Sequence, residues 1–176
     1  VILYGSQHFD VNEWFLTGIT VLEIILFLGL RKRFSLLTKV IVLGFNFFLS
    51  QAVDFVIAVK PLDLYDVNDT PDYEWVDFML YVLTYPIEAY ITMVVYDRWQ
   101  PKGWSKVGFI WGMAFLTLGF EGVAVWFGVY KYKGWNLYYS LLVYAIVYWL
   151  NIKLFDFVRS PQSGRQATAG HMRRTD

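Results

Sequence analysis

Four acidic side chains fall inside long apolar stretches of the 176-residue chain: Glu23, Asp54, Glu88 and Glu121. No basic residue stands at a similar depth, since Lys153 lies close enough to the end of its stretch to snorkel and Lys60 sits at a boundary. A carboxyl group withdrawn from water without a cation must hold a proton, bind a cation or gather hydrogen-bond donors. Donors recur at helical spacing. Asn46, Ser50 and Asp54 follow one another at four-residue steps with Gln51 beside them, and Asp77, Tyr81, Thr84, Tyr85, Glu88 and Thr92 share one side of the next stretch. Ser140, Tyr144, Tyr148 and Asn151 repeat the pattern, while Thr117 with Glu121 and Thr20 with Glu23 complete it. The candidate site for a small ligand, a cation or a proton is therefore Glu88, Glu121, Glu23, Asp54, Gln51, Tyr85, Tyr144 and Tyr148. Glu88 is the best placed of these, because Pro86 has no amide hydrogen and leaves the carbonyl of Val82 without its helical donor, which predicts a kink beside the acid. The competing reading is structural: protonated acids bonded to tyrosine, threonine and amide groups hold the helices together with no ligand.

The elements that must position these residues are membrane spans. Hydrophobic residues make up 57% of the chain and aromatics 20%, more apolar than a soluble surface allows. Five stretches reach the roughly 20 residues needed to cross about 30 Å of hydrocarbon: about 12–30, 36–58, 75–96, 107–130 and 136–157. The expected fold is an all-α polytopic bundle forming a single domain over residues 1–159, with a disordered polar tail over 160–176. Arg31, Lys32, Arg33 and Lys39 flank the first connection, Arg98, Lys102 and Lys106 the third, and Arg159, Arg165, Arg173 and Arg174 lie at the end. The second connection carries Asp63, Asp66, Asp69, Asp72 and Glu74. This asymmetry predicts an outer N-terminus and a cytoplasmic C-terminus, with Trp14, Trp75, Trp99, Trp104 and Trp135 as interfacial anchors. Acids precede the first apolar stretch and basic residues follow it, the reverse of a secretory signal, so it is expected to remain as a span.

Several chemistries are disfavoured. Cysteine is absent, and the two histidines, His8 and His171, lie outside the apolar stretches, which argues against zinc catalysis and Ser-His-Asp chemistry. No metal site or cofactor is expected. Basic and acidic residues balance at 15 each, giving no footprint for nucleic acid. Asp66, Asn68, Asp72, Glu74 and Asp77 approach calcium-loop spacing, but Pro71 occupies the region of the sharp turn where such a loop needs Gly, so a solvated acidic loop is expected.

Tyr85-Pro86, Glu121 and the run Tyr132-Lys133-Gly134-Trp135-Asn136-Leu137 resemble a family of small, largely uncharacterised multi-pass membrane proteins found mainly in spore-forming Firmicutes. The likeness covers about residues 64–157 and implies a bacterial plasma-membrane location without implying an activity. Pro86-Ile87-Glu88 and the Glu121 region more distantly resemble membrane carotenoid cyclases, although Ala89 stands where that pattern has a second acid. The leading expectation is a noncatalytic protein whose partners are the lipid bilayer and a small ligand or cation held in a polar, aromatic-lined pocket. One alternative is a membrane enzyme that uses an intramembrane acid on a lipophilic substrate. Another is a scaffold subunit or homo-oligomer in which Gly112, Gly119 and Gly128 admit close helix contacts.

Overall fold

A computed structural model describes residues 9–68 and 74–172, with side chains described to residue 159. Five helices are long and apolar enough to cross a membrane: α1 (Val11–Leu30), α2 (Leu36–Ile57), α3 (Trp75–Trp99), α4 (Trp104–Trp126) and α5 (Leu137–Met172, apolar as far as Arg159). Two short strands, β1 (Tyr65–Val67) and β2 (Tyr130–Tyr132), pair antiparallel, with Tyr65 opposite Tyr132. Thus the second and fourth connections meet at one end of the bundle, the strand end, while the first and third lie at the opposite, basic end.

The helix boundaries have local causes. The Asp10 amide donates to Glu13 Oε2 at 2.7 Å, and the Ser35 hydroxyl accepts from the Thr38 amide at 3.2 Å, so α1 and α2 each begin with an otherwise orphaned backbone donor satisfied. Asp77 does this for α3 by accepting from the Glu74 amide at 2.9 Å. Its other oxygen accepts from the Asn68 amide group, tying the preceding connection to the helix. Asn136 caps α5 by accepting from the Tyr138 and Tyr139 amides. The fourth span ends at Trp126 rather than near residue 130. Gly128 turns the chain at φ +82°, a region open to glycine, and the amides of Phe127, Gly128 and Val129 bond back to the last carbonyls of the helix.

At the proline of α3 the helix widens. Residues Leu80–Thr84 form a π-helical turn in which the Tyr85 amide donates to the Leu80 carbonyl, followed by α-helix from Tyr85. The expected kink is thus a local expansion by which the helix accommodates a residue without an amide hydrogen.

Helix α3 is central: 56% of its most apolar window is buried, against 28% or less for the other spans. Towards the basic end it packs Tyr90, Met93, Val94 and Tyr96 against Phe34, Val42, Phe109, Ile152 and Phe155. Polar contacts close that end. Asp97, itself buried, accepts from Arg33 at 2.9 Å and also pairs with Arg159, while Lys106 reaches Asp156 at 2.8 Å. Trp14, Trp75, Trp99 and Trp104 are exposed at helix ends, as anchors should be, and Trp126 joins them.

Two expectations change at this level. Helix α5 continues to Met172, through most of the stretch expected to form a disordered tail; residues 173–176 lie outside the described residues. Gly128 belongs to the turn after α4 and not to a helix face, whereas Gly112 and Gly119 lie on α4 with open space beside them within the chain.

Asp97→Asn should lower bundle stability by about 1–2 kcal/mol, because the two arginines lose a charged acceptor but remain half exposed and able to find water. Equilibrium unfolding in mixed micelles measures this; an unchanged midpoint would show that the pair carries no net stability.

Candidate functional site

Three of the four intramembrane acids converge. A cavity of about 130 Å³ lies between α2, α3, α4 and α5 beneath the strand pair, and Asp54, Glu88 and Glu121 all line it. Each acid accepts hydrogen bonds from two hydroxyl groups brought from other elements. Asp54 of α2 receives the phenols of Tyr65 and Tyr81. Glu88 of α3 receives Thr117 at 3.0 Å and Tyr148 at 2.8 Å, both on one oxygen. Glu121 of α4 receives Tyr132 at 2.5 Å and Ser140 at 2.7 Å, again on one oxygen. The other oxygen of Glu121 is buried and has no hydrogen-bond partner. The space suffices for a small ligand or several waters.

Hydrogen counting around Glu88 is informative. Thr117 and Tyr148 also lie 2.5 Å apart, so three oxygens form a closed triangle, while the two hydroxyls supply only two hydrogens. If every edge of the triangle is a hydrogen bond, the third hydrogen is a proton on Glu88.

Tyrosines dominate the rest of the lining. Tyr85 shares a hydrogen bond of 2.6 Å with Tyr130, and Tyr144 lies beside Glu121. Tyr65 packs against Trp135 and edge-on against Tyr130, with ring centroids 5.9 and 6.2 Å apart. Burial, reinforced by Asp54, pushes the Tyr65 phenol above its ordinary value, and burial with the bond to Glu121 does the same for Tyr132. Burial likewise raises Tyr130. These phenols keep their hydrogens and remain donors to the acids. The floor is a reciprocal amide pair, in which Asn46 donates to Asn151 at 2.7 Å and accepts from it at 2.9 Å. Among the described residues no Lys, Arg or His lines the cavity.

The roof is built from the Tyr132–Leu137 run. The Leu64 carbonyl accepts from the amides of Lys133, Gly134 and Trp135 at 2.9–3.1 Å. A Cβ at position 134 would stand 3.2 Å from the Leu64 side chain, so Gly134 permits this close crossing. Lys133 clamps Asp63 at 2.9 Å and Asp66 at 2.8 Å. Trp135, expected as an interfacial anchor, instead lines the cavity and donates to Ser140 at 2.7 Å.

Of the candidate residues, Asp54, Glu88, Glu121, Tyr85, Tyr144 and Tyr148 line the cavity, whereas Glu23 and Gln51 do not. Glu23 lies on α1, which packs against α3, and has one oxygen buried and without a hydrogen-bond partner. Tyr65, Tyr130, Tyr132 and Trp135 complete the lining from the connections, where helical periodicity gives no signal. Among the described residues no group of three His, Cys, Asp or Glu side chains could hold a metal ion. In the second connection, Asp77 is engaged as a helix cap and Asp63 and Asp66 with Lys133, while Asp69 and Asp72 lie outside the described residues. Comparison with family models, with curated proteins and with solved structures finds no match to this chain.

The Lys133 clamp should give the roof a pH dependence. Bonds to Asp66 and Asp63 raise the Lys133 ammonium above its ordinary value. Its contribution is therefore complete below the ordinary lysine range and is lost as pH rises through the raised value. Hydrogen exchange of the Tyr130–Tyr132 amides, corrected for intrinsic rate, should accelerate at strongly alkaline pH, and Lys133→Gln should produce a modest acceleration already at neutral pH. Equal protection in parent and variant would remove the clamp from the account.

Proposed function

We propose that this protein is a noncatalytic membrane receptor or carrier for a small organic cation, held in the cavity by Asp54, Glu88 and Glu121. The observation that carries the reading is the convergence of three acids from three helices on a cavity without a basic lining residue. Low-dielectric surroundings favour neutralisation of such acids, and a cation in the cavity would supply it. The choice of an organic cation over a metal ion follows from the wall. Among the described residues no three carboxylates stand close enough together to hold a metal ion, whereas the clustered rings of Tyr65, Tyr130 and Trp135 supply aromatic surface of the kind that attracts alkylammonium groups.

The excess of Arg and Lys at the basic end supports placing that end in the cytoplasm, with the strand end and the N-terminus outside. With the Firmicute family resemblance, this favours the plasma membrane of a bacterium. An enzyme acting on a lipophilic substrate through Glu88 or Glu121 has less support, because each acid is engaged by two hydroxyls.

Binding of tetramethylammonium and choline to protein in lipid nanodiscs tests the proposal. Saturable binding is expected, weakened at least tenfold by Glu88→Gln or Glu121→Gln, with Gln51→Ala, outside the lining, binding as the parent does. Absence of saturable binding to the parent, or equal binding by the two Gln variants, overturns it.

A further inference from the structure

We propose that the ligand is an amphiphilic amine, a cationic head carrying an apolar chain, and that it reaches the cavity sideways from the bilayer between α2 and α5. The inference rests on the reading of the cavity as a cation site and goes beyond it in naming the tail and the route. Its basis is the unequal way the walls are joined. At the level of the acids, α2 is bonded to α3 through Asp54 and Tyr81, α3 to α4 through Glu88 and Thr117, and α4 to α5 through Glu121 with Ser140 and through Thr117 with Tyr148. Among the described residues, the side-chain bond seen between α2 and α5 is the Asn46–Asn151 pair at the floor. Above that pair they face each other across aliphatic side chains.

The lining is sorted to match. Leu49, Val53 and Ile57 of α2 and Val143 and Val147 of α5 line the cavity, and among the described residues Ala89 is the one aliphatic lining residue from elsewhere. The helical positions beside them, including Val56 and Ile146, are more than half exposed on the lipid-facing surface. A solute coming from the hydrocarbon would meet the aliphatic stripes of Leu49, Val53 and Ile57 and of Val143 and Val147 and, beyond them, three acids. Axial routes are obstructed. The strand pair, the Leu64 carbonyl clamp and the Lys133 ion pairs cover one end, and below the asparagine pair Val42, Tyr90, Met93, Ile152 and Phe155 are buried in contact. An alkyl chain lying in the seam stays in apolar surroundings while its ammonium head reaches the carboxylates, which is the complementarity that neither a hydrophilic cation nor a neutral lipid provides.

The cysteine-free chain allows a direct experiment. Val53→Cys and Val147→Cys are introduced together and bridged with a short reducible bifunctional thiol reagent. Binding of dodecyltrimethylammonium, below its micellar concentration, is then followed in nanodiscs. Bridging should slow association at least tenfold, and reduction should restore it. In the unaltered protein, a dodecyltrimethylammonium analogue with a photoreactive diazirine on its chain should label residues 49–57 of α2 and 143–147 of α5. Unchanged association in the bridged protein, or labelling confined to other segments, overturns the lateral route while leaving the cation site standing. Should the bridged pair fail to fold, the labelling pattern decides alone. If the unaltered protein binds neither dodecyltrimethylammonium nor tetramethylammonium, the cation reading itself fails.

Discussion

A carboxyl group in hydrocarbon has no water to turn to, and the hydroxyl-to-carboxylate bond answers that constraint throughout this bundle. Asp54, Glu88 and Glu121 each draw two hydroxyls from different segments, so that six bonds connect four helices and both strands. In a bilayer, apolar packing between helices has little advantage over contact with lipid, so these bonds and close packing must supply much of the specificity. The strand pair follows from the same demand. Tyr65 and Tyr132 face each other across the ladder while their hydroxyls reach Asp54 and Glu121, so pairing the strands and satisfying the acids are one arrangement.

A packing role and a binding role for intramembrane acids are not alternatives here. The acids are individually bonded, as a structural role requires, and they also share a cavity, as a ligand site requires. Glu121 shows how both hold. One oxygen takes both donors and the other, buried, takes none, so the acid fastens β2 and α5 while retaining acceptor capacity. Glu88 is arranged in a related way, since both donors fall on the same oxygen.

The spans were legible because about 20 apolar residues bounded by charge have few other uses, and the polar stripes were legible because side chains four apart share a helix face. Asn46, Asp54, Tyr148 and Asn151 could therefore be placed on inward faces before any coordinates. The partition among those residues was not legible. Glu23, like Glu88, stands in an apolar span with a hydroxyl at helical spacing, yet α1 meets α3 through the Thr20–Thr84 contact of 2.7 Å and Glu23 does not line the cavity. Which helix neighbours which is a tertiary fact that spacing within one helix does not carry. Trp135 and Tyr132 were hidden for a different reason: aromatic residues at a span boundary suit a lipid interface equally well, and only the pairing of two distant connections turns them inward.

Helix α3 has to serve five neighbours within little more than two turns. Thr84 meets Thr20 of α1, Tyr81 meets Asp54 of α2, Tyr85 meets Tyr130 of β2, and Glu88 meets Thr117 of α4 and Tyr148 of α5. A regular α-helix repeats its faces every 3.6 residues and would hold Tyr81, Tyr85 and Glu88 close to a single stripe. The π turn over Leu80–Thr84 inserts extra backbone between Tyr81 and Glu88, rotating the first relative to the second, so that one can reach α2 while the other faces α4 and α5. Pro86 stands just past the expansion, where its missing amide hydrogen already removes the α-type bond to the Val82 carbonyl. The irregularity thus lies where the central helix must distribute its polar groups among several walls, which makes the π turn a determinant of the cavity's shape.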